Sequence, residues 1–425
     1  MKLAPLLSAA WLAVSTMPGA AEVIERQQSV RPLPGGLDSV LMVNDNNPEL
    51  IDDDGILIST FPDGKAASVP VVLNGRFDLF SHHVYAGDTE GSPSSSLWLA
   101  VLAAPLGNAP VSLQLLSGST SLSQATGPGQ TQAPFLPLPS LMPETTDVVA
   151  SGPGSRVAGD LLAGRRAAEL TNRRWTLAPG APTQLLLLPI PVAGLDPLLN
   201  GRNLQLRFHS SGPVALATLA AHGEDGKAPS EQHWLQLLKD QRMSSKEHQP
   251  TPRGSKGKII YSRVSGVQIG SSWRARITDP GSPVLAAPTA PISWPISSLE
   301  RGTLATNQVQ TAELKSFYPG TAWAAHGNYG VEYDLTLPLK NTGSSEVTLQ
   351  LSLDSPLKGN STTSLLRFRD DLNGPVMFRG PVQTTGLEDS EGVSKGRQTQ
   401  HLVLRQGQQG PSLGQLMLKP GEEKQ

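Results

Sequence analysis

The chain contains no cysteine among its 425 residues. This absence excludes disulfides, thiolate zinc sites, iron–sulfur clusters, thiol nucleophiles and lipid attachment through an N-terminal cysteine. The stability of the folded chain must therefore come from packing and hydrogen bonding alone.

Charge is also scarce in this sequence. Only 16% of the residues are charged, against roughly 25% in an average soluble domain, and the formal net charge is -2. Nucleic-acid binding needs a basic face, and attraction to an anionic membrane surface needs a cluster of Lys and Arg. The composition supports neither class of partner.

Long apolar runs and catalytic motifs are missing as well. After the N-terminal segment, no stretch approaches the roughly 18 apolar residues of a membrane helix. The motifs H-E-x-x-H and G-x-G-x-x-G do not occur. We therefore expect a protein without catalytic activity and, after signal cleavage, without an integral membrane segment.

The N-terminus has the three parts of a secretory signal. Lys2 supplies a positive charge, residues 3–17 form a short apolar run, and small residues precede Glu22. The apolar run is too short to span a bilayer. We predict a signal peptide at 1–21, cleaved after Ala21, and a mature protein in the periplasm or outside the cell.

The remaining sequence has the pattern of a mainly β protein. Residues 111–115 and 347–351 alternate between apolar and polar side chains, which is typical of half-buried strands. Residues 203–208 and 213–219 alternate less strictly, and 184–188 form a continuous apolar run suited to a buried strand. Strands of this length and number favour a β-sandwich architecture.

Turn residues punctuate these strands. The 42 glycines and 37 prolines fit many short connections, and the pairs Asn74-Gly75 and Asn200-Gly201 predict tight turns. The Gly-rich segment 151–155 predicts the entry of a short helix rather than an anion site, because it lacks the lysine of a phosphate-binding loop.

Two passages that resemble each other, at 106–115 and 339–351, suggest a duplicated sandwich. Between them, Ser230 can cap a helix that runs to about Arg242, and a polar, basic stretch follows it. We predict two β-sandwich-like domains with a short helical connector. The predicted boundaries are 28–225 for the first domain, 226–257 for the helix and basic linker, and 258–425 for the second domain.

The densest unusual feature is a group of aromatic residues at 317–333. Five of the 20 aromatic side chains lie within these 17 positions. Flat rings beside polar side chains are typical of surfaces that bind a sugar or a peptide. The alternative is that the rings cap one end of the core. The candidate ligand-binding residues are Tyr318, Trp323, His326, Asn328 and Tyr329.

Two other groups of side chains raise the question of a metal. Residues 44–54 concentrate the Asn, Asp and Glu oxygens that calcium favours, but they lack the EF-hand spacing. Calcium is therefore the one cofactor that the sequence leaves open, with turn chemistry as the alternative. His82 and His83 are neighbours on a predicted strand, so they point to opposite faces and cannot bind one metal ion together.

Five short motifs carry a family resemblance. They are VRPLPGGLD (30–38), GRFDLFSHH (75–83), GPGSRV (152–157), SFYPGTAW (316–323) and HGNYG (326–330). Together they resemble an exported cyanobacterial family known only as a domain of unknown function. The resemblance spans nearly the whole chain and implies a photosynthetic bacterium and a place in the cell envelope. It implies no activity, cofactor or catalytic residue.

From these observations we predict a non-catalytic secreted envelope protein that binds a glycan or another protein through loops at the sheet ends. The first alternative is a carbohydrate-active hydrolase whose acids come from distant strands. The second is a purely structural envelope component without a small ligand.

Overall fold

A computed structural model describes residues 22–62, 67–88, 96–124, 141–143, 153–224, 226–247, 249–257 and 263–425. The predicted signal peptide at 1–21 lies outside the described residues. This part of the chain contains 25 strands and two helices, so the prediction of a mainly β fold is confirmed.

The strands are β1 (Val23–Gln27), β2 (Ser29–Val30), β3 (Gly36–Leu37), β4 (Leu41–Asp45), β5 (Gly55–Ser59), β6 (Leu73–Ala86), β7 (Ser96–Pro105), β8 (Val111–Leu122), β9 (Leu141–Pro143), β10 (Arg174–Leu177), β11 (Thr183–Pro191), β12 (Leu199–His222), β13 (Ser265–Ile269), β14 (Ser272–Arg276), β15 (Leu285–Ala286), β16 (Ile292–Ser293), β17 (Leu314–Phe317), β18 (Glu332–Thr336), β19 (Leu339–Lys340), β20 (Val347–Ser352), β21 (Leu365–Arg369), β22 (Val376–Thr384), β23 (Gln398–Arg405), β24 (Ser412–Leu418) and β25 (Glu423–Lys424). The helices are α1 (Pro153–Leu162) and α2 (Glu231–Lys239).

The largest sheet has ten strands and is organised around β12. The first half of β12 pairs with β6 and β8, and its second half pairs with β7 and β5. β4, β13 and β17 extend the sheet beyond β6, while β10 extends it beyond β8. The change of partners coincides with Gly212-Pro213, where the register shifts between Ser210 and Val214. Proline has no N–H to donate to the ladder, so the pairing is interrupted there.

Side chains from both halves of β12 fill one core. Phe208 in the first half and Leu216 in the second half belong to the same buried cluster. Phe208 stacks on Phe77, with ring centroids 5.3 Å apart, and its centroid lies 6.3 Å from that of Trp175. The two parts of the sheet therefore share one apolar cluster, and the second half of β12 also contributes to two further clusters.

Strand pairing crosses the predicted boundary between the two domains. β1 pairs with β21, β2 with β16, β3 with β14, and β4 with β13. β1, β2 and β3 thus join sheets whose other strands come from the C-terminal half, and β4 connects β13 and β17 to the ten-stranded sheet. Two separate sandwiches are not confirmed. The division at 226–257 stays a prediction. Local periodicity identifies a strand but carries no information about a distant pairing partner.

The helix predicted to begin after Ser230 is present as α2. Ser230 Oγ accepts a hydrogen bond from the His233 N–H at 3.3 Å, as an N-cap residue does. Trp234 and Leu237 are buried in an apolar cluster with side chains of β5, β7 and β12. The helix ends at Lys239, and Gln241 beyond it has a positive φ of 54°. Among the helices that the structure describes, none is long and apolar enough to cross a bilayer.

Two of the predicted turns lie inside strands. Asn74-Gly75 belongs to β6 and Asn200-Gly201 belongs to β12. The Asn200 amide accepts from the Gln124 N–H and donates to the Gln124 carbonyl, both at 3.0 Å. These long-range hydrogen bonds replace the local bonds of a turn, so tertiary structure overrides the local preference of Asn-Gly.

Replacing Phe208 by alanine tests the shared core. We expect Phe208→Ala to lower the free energy of unfolding by about 3–5 kcal/mol, because the surrounding rings cannot close the cavity that it leaves. Urea denaturation followed by tryptophan fluorescence measures the change. The exposed Val72 is the control, and Val72→Ala should change the same quantity by less than about 0.5 kcal/mol. A similar small change for Phe208→Ala would contradict the position of Phe208 inside this shared cluster.

Candidate functional site

Tyr318, the first of the predicted site residues, is a core residue. Its ring belongs to the buried cluster around Phe208. Its hydroxyl accepts a hydrogen bond from the Ser59 N–H at 3.0 Å and donates to the Ala67 carbonyl at 2.9 Å. Burial raises the pKa of this hydroxyl. Tyr318 therefore ties β5 to the end of β17 and presents no ring face to solvent.

Asn328 holds together the loop that contains it. Its Nδ2 donates to the Gln310 carbonyl and to Tyr333 Oη, both at 2.7 Å, and its Oδ1 accepts from the Ala312 N–H at 3.0 Å. Asparagine has two amide hydrogens and one carbonyl oxygen. The internal bonds use both hydrogens, so the amide shapes the loop.

His326 and Tyr329 form a pair on the outer side of the main sheet. Tyr329 Oη lies 2.9 Å from His326 Nε2, and the two rings meet edge to face at 5.1 Å. Tyr329 also stacks on Phe80 of β6 at 6.2 Å, yet 44% of its surface remains exposed. Tyr329 is the more exposed member of this pair.

Trp323 lines a groove of about 420 Å³ that includes neither His326 nor Tyr329 in its lining. We call it the Trp323 groove. One wall is the segment 249–253, and the other wall consists of Glu313, Leu314, Phe317, Gly320, Thr321 and Trp323. The sequence pattern does not join these walls, because 249–253 lies in the predicted basic linker at 226–257.

An exposed ion pair lies over the mouth of the Trp323 groove. The Arg253 guanidinium carbon is 4.5 Å from the Trp323 ring centroid, which is the geometry of a cation–π contact. An Arg253 guanidinium nitrogen also lies 2.6 Å from Glu313 Oε1, and both side chains are 64% exposed. A pair this exposed contributes little stability and separates at small cost.

The Trp323 groove follows the edge of the ten-stranded sheet. β17 is the last strand in the sheet order and pairs with β13. The Tyr318 N–H donates to the Ser265 carbonyl of β13 at 3.4 Å. In an antiparallel pair, residues that bond to the partner strand alternate with residues that do not. The backbone N–H and C=O of Phe317, the preceding residue, therefore point away from β13. Trp323 adjoins the same edge, where its carbonyl accepts from the Leu314 N–H at 3.3 Å.

A buried ion pair, which the sequence did not reveal, lies beneath β4 and β6. Thr218 Oγ1 donates to Asp45 Oδ2 at 2.6 Å, and His83 Nε2 lies 3.0 Å from the same oxygen. His83 Nδ1 is 2.7 Å from the Pro48 carbonyl oxygen; that oxygen only accepts, so Nδ1 carries a hydrogen. Burial raises the pKa of Asp45, but the charges of His83 and Lys246 outweigh it and hold this pKa below its usual value.

Lys246 lies next to this ion pair. Its Nζ donates to the Asn47 carbonyl at 2.8 Å and to the Leu57 carbonyl, and it stands 5.2 Å from the Tyr318 ring centroid. Burial lowers the pKa of this ammonium to about 8, against an opposing effect of Asp45. The basic connector therefore contributes an internal cation as well as a surface segment.

The acidic residues that suggested calcium have protein partners instead. Asp45 contacts His83, Asp53 accepts from Ser244 Oγ at 3.0 Å, and Asp54 lies 2.7 Å from His222 Nδ1. In the described part of the chain, no three His, Asp or Glu side chains converge on a point that a metal ion can occupy. Calcium binding stays a prediction. The opposite orientation of His82 and His83 is confirmed, since His83 is interior and His82 contacts Glu49 on the other face.

The hydroxyl of Tyr318 provides a test of its structural role. We expect Tyr318→Phe to lower the free energy of unfolding by about 1–3 kcal/mol, because the Ser59 N–H and the Ala67 carbonyl lose their partner inside the core. Tyr329→Phe removes the same atom from an exposed ring and should cost less than about 0.5 kcal/mol. Chemical denaturation of both variants measures the difference. Equal decreases in the free energy of unfolding for the two variants would show that the Tyr318 hydroxyl does not make these buried hydrogen bonds.

The lowered pKa of Lys246 predicts a pH dependence of stability. The unfolded lysine holds its proton up to about pH 10.5 and the folded one up to about pH 8. The unfolded state binds more protons between these values, so the free energy of unfolding should rise with pH, by at most about 1.4 kcal/mol per unit. Urea unfolding at pH 7.5, 8.5 and 9.5 measures this slope. Lys246→Met removes the titrating group, and parallel curves for variant and wild type would refute the assignment.

Comparison with known proteins identifies a family for the chain. Searches of curated proteins and of solved structures found no match. A family model matches residues 28–425, which includes both walls of the Trp323 groove and the Tyr329 loop. The chain belongs to the family described as protein of unknown function DUF3370.

Proposed function

We propose that the chain is a non-catalytic binding protein of the cell envelope, located in the periplasm or outside the cell. It holds an extended segment of a protein partner in the Trp323 groove. The observation that supports this proposal is the position of the groove, beside the last strand of the ten-stranded sheet and next to aromatic side chains.

Backbone and side-chain features of the groove favour a peptide over a glycan. An extended peptide that is added to a sheet edge gains affinity from main-chain hydrogen bonds and specificity from neighbouring pockets. Phe317 offers outward backbone groups of this kind, and Trp323 and Phe317 supply apolar contact. The Arg253 guanidinium occupies one of the two faces of Trp323, which leaves a sugar ring the other face unless Arg253 moves away.

The acidic content of the groove argues against hydrolysis. A glycosidase places two carboxyl groups on opposite sides of the bond that it cleaves. Among the residues that line the Trp323 groove, Glu313 is the single carboxylate, and Arg253 pairs with it. The described groove thus supports binding without chemistry.

Peptide selection tests the proposal. A phage-displayed decapeptide library and a glycan array are screened against the chain, and the affinity of the best ligand is measured by calorimetry. We expect a peptide to be selected, and Trp323→Ala to weaken its binding at least tenfold, or about 1.4 kcal/mol, because buried aromatic anchors carry much of the binding energy.

Tyr329→Ala is the matched control, because Tyr329 lies outside the Trp323 groove and is more exposed. Its affinity for the selected peptide should stay within twofold of wild type. Selection of glycans alone, with binding that depends on Trp323, would support the glycan alternative instead. Absence of any ligand together with stable stoichiometric assembly in the envelope would support a purely structural component.

A further inference from the structure

Segment 249–253, which forms one wall of the Trp323 groove, has the sequence of a ligand for an aromatic surface. It reads Gln-Pro-Thr-Pro-Arg. Proline fixes its own φ and restricts the residue before it to extended conformations. Gln249 and Thr251 each precede a proline, so four consecutive residues are biased toward the polyproline II conformation. Segments of this kind bind aromatic-lined grooves because they lose little conformational entropy on binding.

The opposite wall of the Trp323 groove offers the two kinds of contact that such a segment needs. Trp323 and Phe317 supply aromatic rings, and Phe317 is 38% exposed. Glu313 supplies a carboxylate whose side chain is 64% exposed. A guanidinium group stacks on an aromatic face and pairs with a carboxylate at the same time. The opposite wall is therefore suited to proline residues that are followed by an arginine.

Arg253 already makes both of these contacts within the chain. Its guanidinium carbon lies 4.5 Å from the Trp323 ring centroid, and one of its nitrogens lies 2.6 Å from Glu313 Oε1. Pro250 and Pro252 line the same groove. Segment 249–253 is thus placed against the opposite wall as a bound proline–arginine peptide would be.

Surface exposure shows that this segment is held loosely. Pro252 and Arg253 are exposed. The main-chain hydrogen bond described for this stretch is local, because the Ser255 N–H donates to the Pro252 carbonyl at 3.2 Å. The ion pair of Arg253 with Glu313 is exposed on both sides, so it contributes little stability. Segment 249–253 can therefore leave the opposite wall at small cost.

The residues just before the segment are anchored to the body of the fold. The Ser245 N–H donates to Asp53 Oδ1, and the Glu247 N–H donates to Asn47 Oδ1, both at 2.9 Å. This anchor keeps segment 249–253 close to the groove even when the segment is detached. A short tether of this kind gives an effective concentration in the millimolar range. A partner must therefore compete with a ligand that is always nearby.

We propose that segment 249–253 is a resident ligand of the opposite wall of the Trp323 groove, and that a proline–arginine segment of a partner protein displaces it. This inference rests on the proposed function, because it names the class of peptide that the groove holds. The partner's arginine takes the place of Arg253 between Trp323 and Glu313, and its prolines take the places of the wall prolines. The resident segment thereby sets the partner concentration at which binding begins.

Calorimetric titration with a synthetic copy of the segment tests this proposal. The probe is the acetylated and amidated peptide Gln-Pro-Thr-Pro-Arg-Gly. The receptors are the wild-type chain and the variant Pro250→Ser/Pro252→Ser/Arg253→Ala, which lacks the resident ligand. A competitor at an effective concentration of about 1 mM weakens a peptide with an intrinsic Kd of about 0.1 mM by roughly tenfold. We therefore expect the variant to bind the peptide about tenfold more tightly than the wild type does. Equal affinities, or no binding to the variant, would overturn the proposal.

Single substitutions test the contacts of the arginine. Arg253→Ala alone leaves both wall prolines in place and should raise the affinity for the probe at least threefold. Arg242 is the matched control, because it is an exposed arginine of the same connector and does not line the groove; Arg242→Ala should leave the affinity within twofold. Lysine in place of the probe's arginine should weaken binding to the triple variant, because an ammonium lacks the planar stacking face. A probe with alanine at this position that binds as tightly as the original would contradict the proposal.

The combined outcomes separate this proposal from the proposed function. Library peptides that bind the wild-type chain through Trp323, together with equal affinities of the probe for wild type and triple variant, would preserve the proposed function and refute the resident ligand. Failure to select any library peptide, together with no binding of the probe to the triple variant, would refute both. Dimers of the wild-type chain that Arg253→Ala abolishes, detected by analytical ultracentrifugation, would place the segment of a second copy in the groove and refute a separate partner.

Discussion

Backbone pairing along β12 is the constraint on which the rest of the structure depends. This strand of 24 residues pairs with β6 and β8 in its first half and with β5 and β7 in its second half. The side chains of both halves enter one apolar cluster. In a chain without cysteine, this shared core takes the place of covalent links, and it determines which residues face the interior and which face the outer side of the sheet.

The two faces of the sheet carry different kinds of buried polar groups. On the inner face, Asp45, His83 and Lys246 form a network in which the charges compensate each other and carbonyl oxygens accept the remaining hydrogens. Such compensation is what makes buried charge tolerable. On the outer face, the neutral amides of Asn44 and Asn203 keep unpaired atoms. The inner face also keeps an unpaired atom, Asp45 Oδ1, so unpaired polar atoms occur on both faces of the sheet.

The aromatic group at 317–333 shows how a dense sequence feature separates in space. Tyr318 enters the core, Trp323 lines the groove, and Tyr329 stacks on the outer face of β6. The predicted binding surface grouped these rings because they are close in sequence. The segment 317–333 instead leaves the end of β17, turns at Gly320 and returns over the sheet at Gly330. Its rings therefore lie in three different environments. Arg253, the partner that covers Trp323, lies 70 positions earlier in the chain, and no local pattern connects the two.

Local chemistry by itself determined the mainly β character of the chain, the capped helix after Ser230 and the opposite orientation of His82 and His83. Each of these follows from alternation or capping within a few residues, which a sequence displays directly. Tertiary structure alone decided the pairing of the N-terminal strands with the C-terminal half, the partners of Asp45, and the wall of the groove at 249–253. These features join residues far apart in the chain, and the free energy that selects them comes from burial and hydrogen bonding between surfaces that exist only in the folded protein.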